Sequence, residues 1–233
     1  MKKVVLFFAL IVGLLASAST LQAQVNTSRY VTLTVKSGKV IKFKVKVADN
    51  YTPIRIECGG VQQNHSIVDN APNWSSEITY NSYSGTTMTI YGDIIGLNCA
   101  SNGENLSALD LSHNTELKEL RCSFNNLTTL DLSNNTELVS LSCGDNNLNS
   151  LDLSKNTKLQ FLWCVSNHLN FLDLSKNTQL TMLVCYDNNF STQAIDDIYC
   201  SLPLKQASDN AKICPIYQST STDNLHFFII FIS

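Results

Sequence analysis

The chain has 233 residues, with 16 basic and 19 acidic side chains and a formal net charge of −3. This length accommodates one or two domains. A mildly acidic balance argues against the basic surface that nucleic-acid-binding domains present to phosphates. We therefore expect no nucleic-acid partner.

Residues 1–23 have the pattern of a secretory signal peptide. Two lysines precede an apolar run from Val4 to Leu15, and small residues follow it. The run is too short to cross a bilayer as a helix. We expect cleavage after Ala23, with Ala18 as the alternative, and hence a secreted or cell-surface protein that has no membrane span once the peptide is removed.

Residues 25–93 are predicted to form a small all-β domain. Apolar and polar residues alternate from Val31 to Val47 around Ser37-Gly38, which predicts a β-hairpin with a two-residue turn. Further strands are predicted at Ile54 to Cys58 and at Thr86 to Tyr91. The polar segment between those two strands is predicted to consist of turns.

The return strand of this hairpin carries a row of lysines on the face opposite to its apolar residues, at Lys42, Lys44 and Lys46. Such a row is either a site for a polyanion or a solvated face that discourages strands from pairing edge to edge. The second interpretation requires no ligand, and we prefer it.

The middle of the chain repeats with a period of 21 residues. Leu-Asp-Leu-Ser occurs four times, and a second block, Leu-x-Cys-x-x-Asn, keeps the same step. A fixed period of this length indicates a stack of identical units that bury a shared core, because one unit cannot bury its apolar face alone. The copies of the first block begin at Leu109, Leu130, Leu151 and Leu172. The copies of the second block contain Cys122, Cys143, Cys164 and Cys185, and the asparagine three residues later is Asn125, Asn146, Asn167 and Asn188, respectively.

These blocks resemble the leucine-rich repeat family, specifically its bacterial class with nested 21-residue repeats. The resemblance covers residues 94–190. It includes a degenerate first coil around Cys99, and it departs from the pattern at Phe190, where the other repeats have leucine. It implies a β-rich right-handed solenoid (α/β by convention), with the N-terminal β domain capping one end. It also implies an exported, non-catalytic binding protein, often in contact with a host or matrix.

The repeated cysteines stand where leucine stands in the sister half of each repeat. We interpret them, with Cys99, as buried reduced thiols, because stacked identical residues lack the side-chain directions that a disulfide requires.

The repeated aspartates, Asp110, Asp131, Asp152 and Asp173, could bind Ca²⁺ between coils. Local hydrogen bonding is the preferred interpretation, since the glycine-rich calcium motif is missing. No enzyme signature is found, so no catalytic residue, metal or cofactor is predicted.

The outward positions of the Leu-x-Cys strands differ between coils. They are polar or small in the first two full coils and apolar or aromatic in the last two. Contiguous apolar surface with aromatic residues usually marks an interaction site, unless the C-terminal segment folds back and covers it. The predicted binding residues are Phe161, Trp163, Val165, Met182, Val184 and Tyr186, with Arg121 as the centre of a second candidate site.

Residues 191–233 are predicted to cap the other end of the solenoid. Ser191 is placed to cap a short helix that runs to about Leu202, before Pro203. A strand at 212–217 is a further prediction, and the sequence leaves open whether Cys200 and Cys214 form a disulfide. The apolar run at 227–232 suggests either a truncated or frame-shifted end or a last buried strand.

The preferred function is non-catalytic binding of a protein or glycan outside the cytoplasm. The alternative is a structural spacer, or a fragment of a larger surface protein, with no binding role of its own.

Overall fold

The computed structural model of this protein describes residues 24–67, 73–81, 84–202 and 229–231. The predicted signal peptide, the predicted strand at 212–217 and Cys214 lie outside the described residues. No helix in the described ranges is long and apolar enough to cross a membrane.

The described residues form two β-sheets and one helix. A five-stranded sheet has the order β4-β3-β6-β1-β8, and an eight-stranded sheet has the order β13-β12-β11-β10-β9-β7-β2-β5. The elements are β1 Tyr30–Val35, β2 Val40–Val47, β3 Thr52–Cys58, β4 Val61–Ile67, β5 Ile78–Asn81, β6 Thr87–Tyr91, β7 Ile94–Asn98, β8 Leu106–Asp110, β9 Glu119–Arg121, β10 Ser140–Ser142, β11 Phe161–Trp163, β12 Met182–Val184, α1 Thr192–Ser201 and β13 Ile229–Phe231.

The predicted hairpin between β1 and β2 is wrong. Strand β1 pairs with β6 and β8, whereas β2 pairs with β5 and β7 in the other sheet. Both strands alternate buried and exposed residues as expected, and their apolar faces belong to one core. The alternation is the same for a hairpin and for two strands that face each other across a core, so the pattern does not distinguish them.

The segment between β3 and β6 contains two strands where turns were predicted. Gly59 and Gly60, both with positive φ, form the turn of a hairpin in which β4 pairs with β3 along its whole length. Strand β4 lies at the edge of its sheet and is mostly polar, so its sequence lacks the apolar alternation of a half-buried strand.

The repeats form a solenoid of about four turns, and each coil contributes one short parallel strand. Strands β7, β9, β10, β11 and β12 are paired in register, so Leu97, Leu120, Leu141, Leu162 and Leu183 form one column. Every leucine in that column is at most 1% exposed. The predicted leucine-rich-repeat solenoid is thereby confirmed. Within the described residues, the second half-repeat of each full coil forms no strand.

Two columns of buried asparagines tie the coils together. Asn146 donates from Nδ2 to the carbonyl oxygens of Cys122 and Cys143, and its Oδ1 accepts from the backbone N–H of Leu127 one coil earlier. On the other side of the coil, Asn135 donates to the carbonyl oxygens of Leu111 and Asn114. These side chains satisfy backbone groups at each turn.

The N-terminal sheets and helix α1 cover the two ends of the stack. Strand β2 pairs with β7, so the N-terminal domain continues the solenoid sheet without a break. At the other end Ser191 accepts from the backbone N–H of Ala194 at 3.1 Å, which is the predicted helix cap. Ile198 and Leu202 are buried against the last coil. Strand β13 pairs antiparallel with β12 and extends the sheet by one strand.

Candidate functional site

On strands β2, β7 and β9 to β12 of the eight-stranded sheet, one face lies opposite to the buried leucine column, and we call it the outward face. Its side chains fall into two rows, which the strand register defines. One row runs Lys46, Gly96, Glu119, Ser140, Phe161 and Met182, and the other runs Lys44, Asn98, Arg121, Ser142, Trp163 and Val184.

The third full coil presents two aromatic rings on this face. Phe161 is 42% exposed and Trp163 is 40% exposed, with the buried Leu162 between them. These two residues keep the exposure that the strand alternation predicted. The C-terminal strand β13 lies beside β12 at the edge of the sheet, and both rings remain exposed in its presence.

Two residues of the predicted binding patch are buried, and their assignment as exposed residues is wrong. Val165 is 2% exposed and Val184 is 1% exposed. Val165 fills the space above Gly144 in the preceding coil, where a Cβ would lie 2.8 Å from its Cγ2 atom. Val184 lies on β12, which is flanked by β11 and β13. The exposed patch is therefore smaller and more aromatic than predicted.

Gly144 also determines where the Trp163 side chain lies. A Cβ atom built on Gly144 would be 3.0 Å from Trp163 Cδ1 and 3.1 Å from Nε1. The indole ring therefore lies across the second coil, in space that a larger residue would occupy. Met182 and Tyr186 in the fourth coil are half-buried beside this patch.

Small hydroxyl side chains separate this patch from the N-terminal part of the face. Ser140 and Ser142 are half-buried, and the Ser142 hydroxyl is hydrogen-bonded to that of Ser123 at 2.8 Å. The second coil therefore forms a shallow polar strip of the outward face.

The N-terminal end of the outward face carries cations around an indole ring. Lys46 Nζ lies 4.6 Å from the Trp74 ring centroid, and Arg121 Cζ lies 5.1 Å from it. Glu119 forms ion pairs with both cations, and its Oε1 lies 2.7 Å from an Arg121 terminal nitrogen. Arg121, the centre of the second candidate site, is half-exposed here. We call Lys44, Lys46, Trp74, Glu119 and Arg121 the cationic cluster.

Local packing explains how the cationic cluster is assembled. Ser75 exchanges two hydrogen bonds with the backbone of Val45, at 2.8 and 3.1 Å, and this holds Trp74 beside β2. The Lys46 stem crosses Gly96, where a Cβ would lie 3.0 Å from Lys46 Cβ, and so reaches Glu119 two strands away. The contact of Trp74 with this face was not predicted from the sequence. The lysine row of β2 was the available signal.

The aspartate column lies on the other side of the coil and is held by local hydrogen bonds. Asp131, for example, accepts from the backbone N–H of Ser133 at 2.9 Å, and Asp152 accepts from that of Ser154 in the same way. These hydrogen bonds from the serine backbone and hydroxyl lower the pKa of each aspartate below its usual value. Among the described residues, no group of three His, Cys, Asp or Glu side chains is arranged to hold a metal ion.

The repeated cysteines form a buried column inside the solenoid. Cys99, Cys122, Cys143 and Cys164 are fully buried, and Cys185 is 2% exposed. None of the five forms a disulfide. Burial raises the pKa of the Cys143 thiol to about 12, so the thiol stays protonated and unreactive. The prediction of buried reduced thiols is confirmed.

The solved structures that are similar to this chain include two from Listeria monocytogenes. The functional domain of InlJ from Listeria monocytogenes, which includes a cysteine ladder, is 37% identical over 47% of this chain and 24% of that one, with a TM-score of 0.43. An internalin (InlF) from the same species is 26% identical over 40% of this chain and 28% of that one, with a TM-score of 0.38. No protein-family description matches the chain, and no curated protein is significantly similar to it. The chain thus spans about a quarter of the length of each of these two structures, and the matches cover less than half of its own length.

Proposed function

We propose that the outward face binds a protein partner outside the cytoplasm, with Trp163 at the centre of the contact. The observation that carries this proposal is the exposure of Phe161 and Trp163, side by side on a rigid sheet. Large exposed aromatic residues dominate the energetics of protein interfaces, because they bury much apolar area at little cost in side-chain entropy.

The surroundings of Trp163 favour a protein over a glycan. Its neighbours on its own chain segment and in the fourth coil are Phe161, Val165, Met182 and Val184, which offer no hydrogen-bonding groups from their side chains. Ser142, its partner on β10, adds a single hydroxyl that is already hydrogen-bonded to Ser123. Aromatic residues and methionine are enriched in the cores of protein interfaces. A sugar would require polar side chains beside the ring in order to pair its hydroxyl groups.

The repeat itself supplies a matched variant for testing this proposal. Phe161→Ser with Trp163→Ser gives the third coil the outward residues that Ser140 and Ser142 provide in the second. We expect the mature wild-type protein, immobilised and exposed to intact cells, to retain a surface protein that the double variant does not retain. The purified candidate should then bind the double variant at least about tenfold more weakly, since a single hot-spot truncation costs about 2 kcal/mol or more.

The control is Ser140→Ala with Ser142→Ala, which changes the neighbouring coil without altering the aromatic rings. It should bind the same partner with nearly unchanged affinity. Equal retention by the wild type and by the Phe161→Ser, Trp163→Ser variant would contradict the proposal and favour the spacer role. Retention of glycans without any retained protein would instead indicate a glycan partner.

A further inference from the structure

We infer that the cationic cluster is a second contact region of the same partner, and that it receives an acidic segment of that protein. This inference rests on the proposed function, because it assigns a charge and a spacing to the partner whose apolar anchor sits on Trp163. The two regions lie on one continuous face, because β2 pairs with β7 and extends the solenoid sheet into the N-terminal domain.

The charges of the cluster do not cancel. Glu119 is the carboxylate between Lys46 and Arg121, and both cations share it. Lys44 occupies the row that contains Arg121, and no described carboxylate lies within ion-pair distance of its ammonium group. Three cations against one carboxylate leave two positive charges. These charges stand on a chain whose net charge is −3, so this end of the face is distinct from the bulk of the molecule.

Of the two cations that pair with Glu119, Arg121 remains accessible to a partner, whereas Lys46 is mostly buried. Arg121 directs two of its nitrogens at Glu119 and places its guanidinium over Trp74, yet its side chain is still 48% exposed. Lys46 is only 20% exposed. Arg121 is therefore pre-oriented, with donors left for an incoming carboxylate, and the loss of side-chain entropy on binding is small.

The register sets the distance between the two contact regions. Arg121 on β9 and Trp163 on β11 occupy the same row two strands apart, which is about 10 Å at the usual strand spacing of about 4.8 Å. Lys44 on β2 lies two further strands away, about 19 Å from Trp163. The partner should thus carry an apolar anchor with carboxylates beginning about 10 Å from it, while the serine strip of the second coil faces the stretch between them.

The chain contains its own reporters for the two regions. Its two tryptophans are Trp74, in the cationic cluster, and Trp163, in the aromatic patch. In the variant Trp163→Phe the emission of Trp74 reports the cationic cluster alone. The test titrates this variant at low salt with a peptide of alternating glycine and glutamate, and separately with its glycine–glutamine analogue of equal length.

We expect a saturable change in Trp74 emission with the glutamate peptide and none with the glutamine analogue. Lys44→Gln, which leaves the contacts of Trp74 in place, should weaken binding several-fold, and adding Arg121→Gln should bring the loss to about tenfold, as expected for two exposed ion pairs. Lys176→Gln, on the aspartate side of the coil, makes the same charge change away from this face and should have no effect.

Equal responses to the two peptides, no response to either, or full binding by Lys44→Gln would overturn the inference. Since Trp163 is absent from the titrated protein, none of these results bears on the aromatic contact. Conversely, loss of partner capture through Phe161→Ser and Trp163→Ser tests the proposed function without using the cationic cluster, so the two can fail separately.

Discussion

On strands β9 to β12 the inward and outward positions follow opposite rules. The inward residue is leucine in every full coil, whereas the outward row changes from Glu119 to Ser140, Phe161 and Met182 along the stack. The inward leucines are at most 1% exposed, and the outward side chains range from half-buried to exposed except at Val184, which is buried. Neighbouring residues on one strand therefore experience different constraints.

This difference follows from stacking. An inward side chain must fit the coil above and the coil below, so every coil needs the same shape at that position, and a change of volume costs free energy of unfolding. An outward side chain meets solvent or a partner and can vary from coil to coil. Uniformity on the inward face therefore reflects the demands of stability, whereas the outward face is free to vary and can serve the proposed recognition.

The largest expected effect tests the inward side. Leu162→Ala should lower the free energy of unfolding by about 2–5 kcal/mol, because it leaves a cavity in the core between two coils. Its neighbour Phe161→Ala should cost far less, since the ring is 42% exposed. Urea denaturation of both variants checks this. Similar losses for the two residues would mean that the faces of β11 have been assigned the wrong way round.

The next effect concerns the asparagine columns. Asn135→Ala removes two buried hydrogen bonds from Nδ2, to the carbonyl oxygens of Leu111 and Asn114 in the preceding coil. At about 0.5–1.5 kcal/mol each, the loss should be about 1–3 kcal/mol. Asn134→Ala, at the adjacent exposed position, is the control and should be nearly silent in the same denaturation experiment. A silent Asn135→Ala would show that the buried amide does not hold the coils together.

A smaller effect is expected at Gly144, which lies in the second coil beneath the Trp163 ring. Gly144→Ala adds a methyl group that would lie 3.0 Å from Trp163 Cδ1, so the indole ring has to move. Backbone strain is not expected, because Gly144 does not have a positive φ. We expect a shifted Trp163 emission spectrum in the Trp74→Phe background and weaker partner binding, with a modest loss of stability. An unchanged spectrum would contradict the position of the ring over Gly144.

The smallest effect is expected on the aspartate side. Hydrogen bonds from Ser133 hold the pKa of Asp131 below its ordinary value of 3.8 in the folded state. A lowered folded pKa contributes stability that is full above the ordinary pKa and disappears as pH falls through the folded pKa. Asp131→Asn should therefore reduce the urea midpoint slightly at neutral pH and not at strongly acidic pH. The reverse dependence on pH would contradict these hydrogen bonds.

The parts of the fold that could be predicted from sequence are those that a neighbouring coil repeats. Leu141, Asn146 and Cys143 recur every 21 residues, so stacking alone determines their burial. Long-range partners were not predictable in this way. Val184 is buried on a strand that pairs with β13, which lies more than forty residues further along the chain. Trp74 meets Arg121 only because β2 continues the solenoid sheet.

The candidate site was predicted in part for the same reason. The exposure of Phe161 and Trp163 follows from strand alternation within one coil. The burial of Val165 depends on Gly144 in the coil before it. Alternation along a single strand does not predict such a contact between coils.

Trp163→Ala tests most directly whether outward residues govern recognition while inward residues govern stability. The measurement is the melting temperature and the affinity for the captured partner, both taken on the same preparation beside wild type. We predict that affinity falls at least about tenfold, as for a hot spot of about 2 kcal/mol, while the melting temperature barely moves. An unfolded or strongly destabilised Trp163→Ala with no separate loss of binding would contradict the claim, because Trp163 would then belong to the core.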